Sequence, residues 1–267
     1  MSTEVLKYAL CVEYDGFNFS GWQTQNGQRT VQQELEGALS KVADQSVSVI
    51  TAGRTDAKVH ATGQVVHFES TASRELIAWH FGVNRFLPAD IRVHWVQIVA
   101  SDFHARFSAL KRSYRYIIYN HNVKPCLLRH QVSYQYRSLD IDLMNQAAQA
   151  FIGERDFTSV RAAGCQAKTA NREVMTLQVN RSGHWVWFDI TANAFLQHMV
   201  RNIAGMLMAV GYKDRPVEWV EEVLAAKDRT LAGVTALPGG LYLTSVEYPE
   251  KYILNQFPPL PTYWNLD

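Results

Sequence analysis

The stretch Lys7–Val42, KYALCVEYDGFNFSGWQTQNGQRTVQQELEGALSKV, decides the fold class. Lys7 to Tyr14 has the apolar pattern of a strand. Thr30-Val31-Gln32-Gln33 is a capping box, in which the threonine hydroxyl and the glutamine side chain satisfy N–H groups that a helix start leaves unpaired. The helix it opens carries Val31, Leu35, Ala38, Leu39 and Val42 on one face, the spacing of an amphipathic helix. Further on, Val47–Thr51 and Gly63–Glu69 read as strands, Arg74–Arg85 as a helix and Ile91–Ala100 as a strand.

The second half repeats this order. A strand at Ser113–Tyr119 leads through a long connection to a helix over Ile141–Ile152, with Asp140 as its N-cap. Val174–Val179 and Trp185–Thr191 form a hairpin across Arg181-Ser182-Gly183, and a long helix covers Ala194–Val210. A further helix opens with Pro216 in its first turn, and Leu241–Glu247 is the last strand. The expectation is an α+β protein of two tandem ferredoxin-like (split βαβ) units. Such units can share one antiparallel sheet surface, with helices behind and a basic cleft in front. The halves are residues 1–107 and 108–248, followed by an aromatic and proline tail, 249–267.

Composition narrows the function. With 47% hydrophobic and 19% charged residues, the chain has the material of a folded protein rather than a disordered one. The first residues do not read as a secretory signal, and no stretch approaches the roughly 20 apolar residues that span a bilayer, so a cytoplasmic protein is expected. Cys11, Cys126 and Cys165 lie far apart, and the histidines, His60, His67 and His198 among them, are scattered. No metal and no cofactor are expected.

The net charge is only +1, but its distribution is uneven. Between Asp102 and Asp140 there is no acid, while Arg106, Lys111, Arg112, Arg115, Lys124, Arg129 and Arg137 fall there among five tyrosines. A second acid-free run, Phe157–Arg172, carries Arg161, Lys168 and Arg172. Basic, aromatic-rich stretches on an otherwise neutral protein suit a phosphate-binding face, although a solvated surface and strand tyrosines would give the same pattern.

Ala52-Gly53-Arg54-Thr55-Asp56-Ala57-Lys58-Val59-His60-Ala61 is a compact polar loop between strands. By itself it is a turn in which Asp56 bonds nearby backbone. The loop resembles the G-R-T-D-A-x-V-H-A signature of the TruA family of tRNA pseudouridine synthases. Other blocks resemble that family in order: Tyr14-Asp15-Gly16, Gly21-Trp22-Gln23, Thr30-Val31-Gln32, Phe103-His104-Ala105-Arg106-Phe107-Ser108, Ser113-Tyr114-Arg115-Tyr116, Asp156-Phe157-Thr158-Ser159, Asn193-Ala194-Phe195, His198-Met199-Val200-Arg201-Asn202 and Gly240-Leu241-Tyr242-Leu243. Together they cover nearly the whole chain. Lys58 stands where the family usually carries glycine. A positive φ there would be awkward for lysine, whereas a negative φ would be harmless and leave Lys58 to add a phosphate contact.

The resemblance implies isomerisation of uridine to pseudouridine at positions 38–40 of the tRNA anticodon stem-loop. The bond from C1′ to N1 breaks, the base turns in place, and C1′ joins C5. A carboxylate suits a sugar that develops oxocarbenium character, and hydrolysis would call for a second acid. The resemblance makes Asp56 the expected catalytic carboxylate, by attack at C1′ or by proton removal at C2′. Covered by base and sugar, it needs a nearby cation to stay ionised, and the resemblance assigns that to Arg201. Tyr114, on the strand face shared with Tyr116 and Ile118, is implied as the residue that stacks on uracil. The target must be flipped out of its stem, with Arg54 as intruder or phosphate anchor. Arg74, His104, Arg106, Phe107, Cys165, Gln166 and Lys168 are the further RNA-contact candidates. The family is dimeric, so tRNA and a second copy of the chain are the expected partners. A tRNA-binding protein without catalysis and a nucleoside glycosidase are the alternatives.

Overall fold

The structure is a computed structural model that describes residues 4–257. The chain divides into two compact units, one running to Leu110 and resuming at Leu243, the other spanning Lys111–Tyr242. The protein is α+β, and no helix of the described residues is long and apolar enough to cross a membrane.

The first unit runs β1 (Leu6–Tyr14), α1 (Val31–Ala43), β2 (Ile50–Thr51), β3 (His60–Ser70), α2 (Leu76–Phe86) and β4 (Ile91–Ile98). Strand β1 lies antiparallel between β4 and β3, with Cys11 opposite Trp95 on one side and Val65 on the other. Tyr8 to Val12 are all buried, so the strand reads as an unbroken apolar run. Tyr8 stacks on Phe68 at 5.0 Å between ring centroids, and Trp79 of α2 closes on both, which seats that helix on the sheet. The Thr30 hydroxyl caps α1 by accepting the Gln33 N–H at 3.4 Å.

The expected strand at Val47–Thr51 shrinks to Ile50–Thr51. Side chains of α1 take the backbone donors that a longer strand would need: Val47 N–H goes to Ser40 Oγ at 3.0 Å and Val49 N–H to Glu36 Oε1 at 2.9 Å.

The second unit runs β5 (Lys111–Asn120), β6 (Ser133–Gln135), α3 (Ile141–Ala148), β7 (Gly153–Asp156), β8 (Asn171–Ser182), β9 (Trp185–Ala192), α4 (Met199–Gly211) and α5 (Trp219–Ala226). Its sheet order is β5-β9-β8-β7, and β6 pairs parallel to β5. Asp140 caps α3 by accepting the Leu143 N–H at 3.2 Å.

Two helix starts of this unit differ from expectation. Helix α4 begins at Met199 rather than Ala194, because His198 sits at φ +62° and Asn193 Oδ1 holds Ala194 N–H at 2.7 Å in a turn. Helix α5 begins at Trp219, and Pro216 lies ahead of it, its carbonyl accepting the Trp219 N–H at 3.3 Å.

The chain returns to the first unit within β10 (Leu241–Glu247), between Tyr242 and Leu243. Beyond it, Ile253 and Asn255 bond the Gln97 side chain, each at 2.7 Å, and Phe257 meets Trp95 edge to face. Pro258, Pro259, Pro261, Tyr263 and Trp264 lie outside the described residues.

Candidate active site

Asp56 sits half-buried on the loop between β2 and β3, and the segment after β1 braces that loop. Trp22 N–H donates to the Thr55 carbonyl at 3.1 Å and Lys58 N–H to the Phe19 carbonyl at 3.2 Å. From beneath, Tyr14 Oη meets Thr55 Oγ1 at 2.8 Å, and Gln64 Nε2 donates to the Gly53 carbonyl at 2.7 Å. Burial pushes the Tyr14 hydroxyl up to about 12, so it stays neutral in this role.

Two glycines make the approach possible. A Cβ on Gly16 would lie 2.0 Å from the Val59 carbonyl oxygen, and one on Gly21, itself at φ +95°, would lie 2.9 Å from that of Thr55. The blocks Tyr14-Asp15-Gly16 and Gly21-Trp22 are thus the bed of the aspartate loop. Their place beside it was not legible from their spacing.

Lys58 adopts φ +65°, the conformation that favours glycine, and its Nζ lies 5.4 Å from the Phe17 ring centroid. The costly alternative at this position is therefore the one realised. Arg54 is exposed on the same loop.

In the second unit Tyr114 is buried and its ring meets Phe195 edge to face at 4.9 Å. Phe195 lies in the turn ahead of α4, so that turn packs against the tyrosine ring. Arg201 is on the first turn of α4, half-buried, and its Nε donates to the Ala236 carbonyl at 2.9 Å. Of Ala194, His198, Arg201 and Gly205, all within the expected helix, only Arg201 and Gly205 stand in regular helix. Arg229 and Thr235, which bond the side chain of Asn202 next to Arg201, were not singled out in the sequence; each alone reads as an ordinary polar residue.

The RNA-contact candidates fall into three groups. His104, Arg106 and Phe107 form one turn: His104 stacks on Phe107 at 4.4 Å, its Nδ1 accepts the N–H groups of Arg106 and Phe107, and Phe107 is 77% exposed. Burial, with Lys7 close by, lowers the pKa of His104. Cys165, Gln166 and Lys168 share a loop of the second unit, with Gln166 and Lys168 exposed. Arg74 belongs to neither group: its Nε donates to the Val42 carbonyl at 3.2 Å, in the last turn of α1.

Residues 10–108 and 147–249 match the family model described as tRNA pseudouridine synthase. The chain belongs to that family. Curated relatives carry the similarity nearly end to end. The tRNA pseudouridine synthase A of Salmonella arizonae is 55% identical over 98% of this chain and 97% of its own length. That of Pseudoalteromonas atlantica is 55% identical over 93% and 95%, and that of Citrobacter koseri is 56% identical over 97% and 96%. Members of this family are isomerases that convert uridine in tRNA to pseudouridine.

Proposed function

We propose that this chain isomerises uridine at positions 38–40 of the tRNA anticodon stem-loop, with Asp56 as its single catalytic carboxylate. The observation that supports the reading is the bracing of the Asp56 loop by Tyr14, Phe19, Trp22 and Gln64, which fixes the backbone of one acidic residue. In this reading Asp56 attacks C1′ or removes the C2′ proton, Arg201 keeps it ionised, and Tyr114 stacks on the detached uracil. Such stacking is worth about 1–3 kcal/mol per base, enough to retain a base while it turns.

Arg54 enters the stem or anchors a phosphate as the nucleotide flips out. The exposed turn of His104, Arg106 and Phe107 and the loop of Cys165, Gln166 and Lys168 contact the RNA; Arg74 reaches it beyond the end of α1. Each of the two units is a ferredoxin-like half. The enzyme works in the cytoplasm as a homodimer, one tRNA lying across both copies.

The test uses tRNA tritiated at uracil C5. Wild type releases tritium into water while the RNA stays intact, and Asp56→Ala abolishes release with tRNA affinity kept within a few-fold. Binding without release would mark a tRNA-binding protein, and free uracil a glycosidase. Full activity in Asp56→Ala would remove that residue from its role.

A further inference from the structure

Between α5 and β10 the chain crosses over α4 as a strap, residues 232–237. Gly205 permits the crossing, since a Cβ there would lie 1.8 Å from the Val234 carbonyl oxygen. The strap bonds Arg201 twice: Ala236 N–H donates to the Arg201 carbonyl at 3.0 Å, and Arg201 Nε donates to the Ala236 carbonyl at 2.9 Å. The Ala236 carbonyl is therefore one anchor of the Arg201 guanidinium.

Ala236 is flanked by two anchors: the Tyr116 hydroxyl donates to the Leu237 carbonyl at 2.9 Å, and a second arginine holds the strap residues ahead of it. Arg229 Nη1 donates to the carbonyls of Ala232 and Gly233, each at 3.2 Å, and Nη2 donates to Thr235 Oγ1 at 2.8 Å and Asn202 Oδ1 at 3.0 Å. The Thr235 hydroxyl also donates to Asn202 Oδ1, at 2.7 Å, and Asn202 Nδ2 donates to the Val160 carbonyl at 2.7 Å. Asn202 follows Arg201 on the same helical turn and is 1% exposed, so it is a fixed post to which the strap is tied. All four of the Arg229 acceptors are neutral oxygens of the strap and of Asn202. Its planar fork thus serves to fold three strap residues against α4 rather than to meet a carboxylate.

We propose that Arg229 is a positioning residue for the reaction: through Thr235 and the Ala236 carbonyl it aims Arg201. This rests on the reading of Arg201 as the partner of the catalytic carboxylate. A guanidinium whose carbonyl anchor shifts by about 1 Å loses its alignment, and misplacement of that size costs up to about 100-fold in rate.

The test is a double-mutant comparison on the full chain, reading kcat and KM by tritium release and folding by thermal melting. Arg229→Met should lower kcat by about 10- to 100-fold while KM for tRNA stays within about two-fold, since the lost interaction acts on the reacting centre and not on binding. Placed on Arg201→Met, the same change should cost nothing further. Thr235→Val, which removes one hydroxyl, should show a smaller kcat loss with the same KM, and it decides the matter alone if Arg229→Met fails to fold.

Unchanged kcat in the folded variants, or a rise in KM alone, would overturn the proposal. Additive losses in the double variant would leave Arg201 in its role and refute only the link. Full activity in Arg201→Met would instead refute the assignment of Arg201, and the proposal with it.

Discussion

Replacing Lys58 by glycine should stabilise the protein relative to alanine at the same position, although glycine is usually the weaker choice. Lys58 is held at φ +65° because its own N–H is tied to the Phe19 carbonyl at 3.2 Å and the next N–H, that of Val59, to the Asp56 carbonyl at 3.2 Å. The left-handed region costs a residue with a Cβ about 1–2 kcal/mol. Glycine avoids that cost but loses about 0.5–1 kcal/mol more chain entropy on folding. Both variants lose the ammonium from the Phe17 ring, so the comparison isolates the backbone: Lys58→Gly should exceed Lys58→Ala by about 0.7 kcal/mol. Lys58→Val, branched at Cβ, should fall below both. Wild type should lie between glycine and alanine, because at 5.4 Å from the Phe17 centroid its ammonium recovers about 0.5 kcal/mol. Urea denaturation of the four proteins measures the order. Lys58→Ala or Lys58→Val as stable as Lys58→Gly would refute the reasoning, since a backbone free to relax to negative φ would show no preference.

Gly21→Ala should cost about 2 kcal/mol or more, since a Cβ would meet the Thr55 carbonyl at 2.9 Å from a backbone at φ +95°; a denaturation midpoint equal to wild type would show that the bed of the Asp56 loop yields. Acid should loosen the turn after Phe103. His67 Nδ1 accepts the Ala105 N–H at 3.0 Å, and burial, with His104 and Lys7 near, holds its pKa down to about 4 from its usual 6.5. Across that window the unfolded chain binds a proton that the folded one refuses, so this stability is full above the upper pKa and is lost as pH falls toward the lower. Hydrogen exchange of the Ala105 amide should rise over the window relative to amides of β1, and a ratio that stays level would count against the assignment. Removing Arg106 or Lys168 should weaken tRNA binding and reduce its salt slope by about one unit each; an unchanged slope would exclude phosphate contact.

Strong local periodicity was what made the fold legible. Strand β1, helix α1 and strand β10 stand where Lys7–Tyr14, the Thr30 box and Leu241–Glu247 put them, because their patterns are long and end on recognisable caps. Misreadings came where a side chain competed with the backbone. Ser40 and Glu36 shortened β2, and Asn193 with His198 delayed α4 by five residues from Ala194 to Met199. Of the proposed site, the residues with a chemical signature, Asp56, Arg54 and Arg201, could be named from motifs. Those that position them could not: Tyr14 beneath Thr55 and Arg229 beneath the strap act across 41 and 27 residues of chain, where spacing carries no information.

The return of the chain within β10 bears on how the protein is made. Residues 111–242 form an unbroken run, whereas the unit that carries Asp56 draws its last strand from Leu243 onward. During synthesis, which proceeds at roughly 5–20 residues per second, the inserted unit can be whole while the earlier one still lacks a strand. A nascent chain released early would thus carry the aspartate on an unfinished sheet, and the part of the protein translated first is the part that matures last.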